Sequence, residues 1–223
     1  MLSKRFLRPV FRTPVFVLAV ALSLSKPAGA TGLEEDAADF IRSLSQDAIE
    51  SLTRKETARE ARIGKFRDLF NKHFAVKSIG RFVLGRNWRK ATKDERAEYL
   101  KLFEDLMVVS YVDRFKRYAG DNLEIAKTRA ENETTVTVFS LLPRDAGKPV
   151  NILWRVGVLK KSGGVVMKIL DVVVEGASMS QTLRSDFGSI IRQRDGKVSG
   201  LIEELRLKTA ALKNPDKAET SKN

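Results

Sequence analysis

Cysteine is absent from the 223-residue sequence, which excludes a disulfide framework, a thiolate nucleophile and any cysteine metal site. There is one histidine, His73, in "NKHFAV" at the end of a basic stretch. One histidine is too few for a histidine–carboxylate zinc site, and the nucleophile, base and orienting group of the usual hydrolases are not in evidence. The glycines of "KSGG" suit a hairpin turn, and no glycine-rich loop of the phosphate-cradling kind is present. Long apolar runs are also missing. The longest candidate, Val15 to Leu24, falls well short of the ~18 residues a membrane span needs.

That short run has the setting of an export signal. Lys4, Arg5, Arg8 and Arg12 precede it, and the small residues Ala28 to Ala30 follow it. Basic front, apolar centre and small-residue end make a secretory signal over residues 1–30, cleaved after Ala30, and hence an exported chain. Lys and Arg number 41 against 28 Asp and Glu, a net charge of +13. The leader carries five of the basic residues and no acidic one, so the rest stays basic. The excess is concentrated between Arg54 and Arg96, with fourteen basic residues against five acidic ones. Such a stretch is either a solvated helix face or a docking surface for an anionic partner or lipid head group. Nucleic acid matches the sign of the charge but not the export signal.

Periodicity divides the remaining chain into helices, strands and helices. Phe40, Ile41, Leu44, Ala48, Ile49 and Leu52 recur at helical spacing between Asp36 and about Arg54, and Ile63, Phe66, Leu69 and Phe70 do so after Thr57. Val76 to Leu84 predicts a short helix stopped by Gly85. "TKDE", Thr92 to Glu95, is a capping box opening a long helix that carries Leu100, Phe103, Met107, Tyr111 and Phe115 and ends near Gly120. The period then shortens to two. Leu123 to Ala126, Thr134 to Leu142, Val150 to Lys160 and Val165 to Glu175 predict four strands joined by short turns, hence an antiparallel meander. A helix capped by Ser178 or Ser180 follows, then one from Val198 to about Leu207, then a polar tail over 209–223. The fold class is α+β, a single domain over residues 31–208.

The fourth strand carries apolar residues at both parities. Val166, Leu170, Val172 and Val174 alternate with Val165, Met167, Ile169 and Val173. An antiparallel sheet can leave one face to water, and this pattern predicts that both faces are covered, by protein alone or by protein and a cargo. Two carboxylates interrupt it. Asp171 and Glu175 lie about 13 Å apart on an extended strand, too far to act on one bond. Arg184, on the next helix, could pair with either. An enzyme acting on an apolar substrate through Asp171 or Glu175, and a scaffold with an incidental cavity, both remain open at this stage.

Two segments resemble a known family. "RFVLGRNWRKATKDERAEYLKLFEDLMVVSYVDRF", Arg81 to Phe115, contains a "VLGR-W" core of Val83, Leu84, Gly85, Arg86 and Trp88. "LDVVVEGASMSQTLRSDF" contains "DVVVEG-S" and "RS-F", formed by Asp171 to Gly176, Ser178, Arg184, Ser185 and Phe187. Together they resemble the MlaC family of exported phospholipid carriers, also called toluene- or organic-solvent-tolerance proteins. The likeness covers most of Leu33 to Leu207. Ala75 and Leu170 stand where that family often has an acidic residue and a tyrosine. One branch of the family is associated with hopanoid lipids.

The resemblance implies a curved four-stranded antiparallel sheet wrapped by N-terminal and C-terminal helices around an apolar pocket. It also implies a lipid shuttle, not an enzyme, with no cofactor or metal and with a phospholipid or hopanoid as cargo. Its partners would be an inner-membrane ABC transporter complex bearing a ring of MCE domains and an outer-membrane lipoprotein complex. The inward residues expected to line the pocket are Phe103, Met107, Val138, Ile152, Trp154, Val156, Leu170, Val172, Leu183 and Phe187. Arg81, Arg86, Arg89 and Lys90 are the expected docking residues.

Overall fold

The structure is a computed structural model that describes residues 28–52, 58–117, 123–144, 146–161 and 164–213. The expected leader, apart from its last three residues, and the end of the tail, 214–223, lie outside the described residues. So does the expected helix end near Gly120. No helix among the described residues is long and apolar enough to cross a membrane.

Five helices come first: α1 (Ala28–Leu52), α2 (Arg59–His73), α3 (Val76–Leu84), the single turn α4 (Asn87–Lys90) and α5 (Lys93–Arg117). The start of α5 is the expected capping box. Thr92 N–H donates to Glu95 Oε2 at 2.8 Å, and Glu95 N–H donates to Thr92 Oγ1 at 3.2 Å. Strands β1 (Glu124–Asn132), β2 (Thr135–Leu142), β3 (Val150–Lys161), β4 (Gly164–Val174) and the two-residue β5 (Ala177–Ser178) form one antiparallel sheet in sequence order. Helices α6 (Met179–Gln193) and α7 (Val198–Lys213) complete the chain.

The architecture is α+β with a curved, unclosed sheet, as expected, with β5 added as a short fifth strand. β1 is also longer than its weak apolar pattern suggested, because it is a polar edge strand. Its register slips at Ala126 and at Glu131, and such bulges bend and twist a strand. The other edge is protected. β5 covers the end of β4, and Phe74 bridges Ile169, whose carbonyl accepts from Ala75 N–H at 2.9 Å.

β4 contains a bulge that its sequence conceals. Arg155 pairs with Asp171, but the next residue, Val156, pairs with Ile169. Leu170 is the extra residue, so parity reverses there. Ile169 and Val172 consequently share the inner face, buried with Val136, Val138 and Val156. The Leu170 side chain instead lies against Gly157, where a Cβ would come within 2.9 Å of it.

The outer face of the sheet is not fully covered, contrary to the expectation. Lys127, Arg129 and Arg155 are exposed on it. Arg155 binds Glu131 (Nη2 to Oε2, 2.8 Å), and Phe139 lies beneath the Lys127 ammonium at 4.6 Å. Val165 and Leu159, at the β3–β4 hairpin, are 52% and 54% exposed. Sheet curvature and long cationic side chains take the place of a covering layer.

The helices gather on the inner side and build two cores. In one, α2, α3, α5, α6 and α7 pack around Tyr99, Phe103, Phe187 and Leu201. In the other, α1 lays Ala37, Ile41 and Leu44 on the inner sheet residues. α7 runs past Leu207 to Lys213. Its end is anchored by Arg59, whose guanidinium donates to the carbonyls of Leu212 and Lys213, while the Lys213 ammonium meets Asp105 at 3.1 Å. These contacts turn part of the expected polar tail into the last turns of a packed helix, with Thr209 buried.

Candidate functional site

Between the two cores lies a cavity of about 760 Å³. It exists because α1 packs on the sheet, α5 and α7 pack on each other, and neither pair fills the seam. One wall is Ile41, Leu44, Ala48, Ile49 and Leu52 on α1. The sheet contributes Val150, Ile152, Trp154, Val172 and Val174, and the opposite wall includes Phe66, Phe70, Leu106 and Met107. The mouth is marked by exposed residues: Val174, Thr182 and Asp186 on one side and Lys208 on α7. Asp186 and Lys208 are the only charged side chains among the described lining residues.

The Trp154 indole on the sheet wall is satisfied internally. Trp154 Nε1 donates to Ser140 Oγ at 2.9 Å, and Ser140 Oγ donates to the Ile152 carbonyl at 3.0 Å. The indole can therefore present its ring to the cavity without an unpaired donor. A large apolar space with few polar groups at its rim suits an aliphatic ligand better than a reacting polar one.

Of the ten expected lining residues, Met107, Ile152, Trp154, Val172 and Leu183 line this cavity. The other five do not. Val138 and Val156 are fully buried in the sheet–α1 core, and Phe103 and Phe187 pack edge-on at 6.5 Å in the helical core. Leu170 is turned away by the bulge. The α1 residues, Lys208, Leu212 and Asp186 were missed. The spacing of α1 was visible, but periodicity does not distinguish a face against a void from a face against other side chains.

The two carboxylates considered for catalysis hold the backbone. Asp171 accepts from Ser178 Oγ at 2.5 Å and from Ser180 N–H at 3.0 Å, beside the start of α6, where Ser178 accepts from Gln181 N–H. Glu175 accepts from Asn151 N–H at 2.5 Å. It sits with Gly176 in the tight β4–β5 turn, at φ 48° and 82° respectively. Arg184 pairs with neither. It donates to the Phe82 carbonyl at 2.9 Å and stacks on the Phe82 ring at 4.8 Å. The two motifs of the sequence thus meet at this contact, because the same guanidinium lies over Gly85.

His73 is buried, with its ring 5.4 Å from that of Phe40 and Nε2 3.7 Å from Asp47. Burial lowers its pKa, assisted by Lys72 and Lys168 against the pull of Asp47. It is a neutral joint between α1 and α2, remote in role from the cavity mouth.

Arg81 on α3, Arg86 in the turn that follows it, and Arg89 and Lys90 on α4 are all exposed. Arg81 and Arg96 flank the Trp88 ring at 5.8 and 5.4 Å. None of the four docking candidates has an acidic partner among the described residues. The end of α3 is bonded by Arg184.

Comparison with known proteins gives a consistent assignment. The family model for MlaC protein matches residues 42–207, about three-quarters of the chain. Among solved structures, the chain is similar to the phospholipid-binding protein from Ralstonia solanacearum in complex with a phospholipid. The TM-score is 0.65 at 22% identity, covering 78% of this chain and 97% of that one. At that identity the likeness establishes the fold.

Proposed function

The chain belongs to the MlaC family, and from that membership and the cavity we propose that it carries one diacyl phospholipid between membranes. The observation that carries the reading is the 760 Å³ apolar space opening at Val174, Thr182, Asp186 and Lys208. A methylene is about the size of a water, ~30 Å³, so the space accommodates about 25 methylenes. That is most of two acyl chains, with the glycerol end at the mouth. The related Ralstonia solanacearum protein, which shares the fold, holds a phospholipid.

Each methylene costs about 0.8 kcal/mol to expose, so a chain of about 15 costs about 12 kcal/mol. A carrier needs only to match that with an equally apolar lining, so that exchange with a membrane-bound partner is nearly balanced. No bond is made or broken.

The proposal extends to place and partners. The basic-apolar-small leader fits export to the periplasm. There the carrier would exchange lipid with an outer-membrane lipoprotein complex and an inner-membrane ABC transporter complex bearing an MCE ring. The unpaired Arg81, Arg86, Arg89 and Lys90 supply a docking face for an acidic surface. The test is movement of a fluorescent phospholipid from donor to acceptor vesicles held apart by a porous barrier. The protein should accelerate transfer. Transfer no faster than across the barrier alone would refute the reading.

A further inference from the structure

We propose that Asp186 and Lys208 form a head-group subsite selecting zwitterionic phospholipids with a primary ammonium, a specificity that rests on the carrier reading above. The two residues are the only charges among the described residues of the cavity lining, and they are opposite in sign. They belong to successive packed helices, α6 and α7. Thr182 and Asp186 are four residues apart on α6, and Lys208 and Leu212 are four apart on α7. In each pair one helix face is therefore turned to the mouth.

Neither charge has an ion-pair or hydrogen-bond partner among the described residues. Their neighbours on α7 do: Arg206 meets Glu98 at 2.5 Å, Glu204 meets Arg194 at 3.2 Å, and Lys213 meets Asp105 at 3.1 Å. Lys208 is thus left available beside these paired neighbours. A phosphodiester accepts charge-assisted hydrogen bonds from an ammonium, and an ethanolamine ammonium donates them to a carboxylate. Both arms of such a head group find a complement at this rim. A phosphoglycerol head satisfies Lys208 but offers Asp186 no cation and places a phosphate near it. A choline head brings the cation without N–H donors.

Both side chains are exposed, so the discrimination is modest. An exposed ion pair corresponds to a preference of about two- to fivefold. The test is competitive loading of the delipidated full chain from vesicles of equal phosphatidylethanolamine and phosphatidylglycerol with identical acyl chains, read by mass spectrometry of the extracted lipid. The unmodified protein should be enriched in phosphatidylethanolamine by about two- to fivefold. Asp186→Asn should bring the ratio toward one. Full loading in the proportion offered, or an Asp186→Asn ratio equal to that of the unmodified protein, would overturn the subsite and leave the carrier reading standing. An unmodified protein that takes up neither lipid would overturn the carrier reading itself.

Discussion

Val156 and Val172 both face inward and both belong to the sheet–α1 core, yet only Val172 borders the cavity. Their responses to enlargement should therefore differ. Val172→Phe extends into open space, so lipid phosphorus per protein should drop while the denaturation midpoint is kept. Val156→Phe enters a filled site at 0% exposure, and overpacking of that kind costs about 1–3 kcal/mol, read as a lower midpoint. Equal lipid loads in the two variants would place the cavity wrongly. The same pair shows what was legible. Strict alternation on β3 put Ile152, Trp154 and Val156 on one face, of which Ile152 and Trp154 border the cavity. On β4 the bulge at Leu170 falls between Lys168 and Asp171, two charged residues at opposite parity, but the apolar residues at both parities around them masked that change of phase. Asp186 and Lys208 gave no signal, because an exposed charge at a cavity mouth has the same sequence context as any solvated charge.

At the scale of elements, the α3–α6 joint connects the basic face to the helix that borders the mouth. Gly85 ends α3 at φ 57°, ψ −131°, and a Cβ there would meet the Arg184 guanidinium at 3.0 Å. Gly85→Ala should cost about 1–3 kcal/mol for the backbone conformation, measured by urea denaturation; a neutral result would mean that α3 can end differently. The α1–α2 joint is pH-sensitive. The pKa of His73 lies below its ordinary 6.5, chiefly through burial. The unfolded chain binds a proton there that the folded chain resists. This group therefore takes nothing from stability above about pH 6.5 and weakens folding progressively below it. His73→Phe should flatten the loss of stability between about pH 7 and pH 5; an unchanged slope would assign that loss to other groups. Helix positions were legible from spacing and caps, including Thr92 and Gly85. The end of α7 was not, because its anchors, Arg59 and Asp105, come from distant parts of the chain.

Over the whole molecule, the main feature is a pair of cores that share Phe74 and Met179 but do not close on one another. Such a seam leaves unfilled space within an otherwise dense interior, and a ligand that occupies it only in the folded state adds stability by mass action. Docking depends on a different feature, the unpaired cations of α3 and α4. Vesicle-to-partner transfer should slow as ionic strength rises, since the Debye length contracts from about 8 Å at physiological salt to about 3 Å at 1 M; a rate indifferent to salt would remove Arg81, Arg86, Arg89 and Lys90 from docking. The most direct measurement of the central claim is mass spectrometry of the purified, folded protein under non-denaturing conditions. The account predicts an added mass matching one diacyl phospholipid, released when the protein is unfolded. A protein that flies bare, or that carries only a ligand without acyl chains, would contradict it.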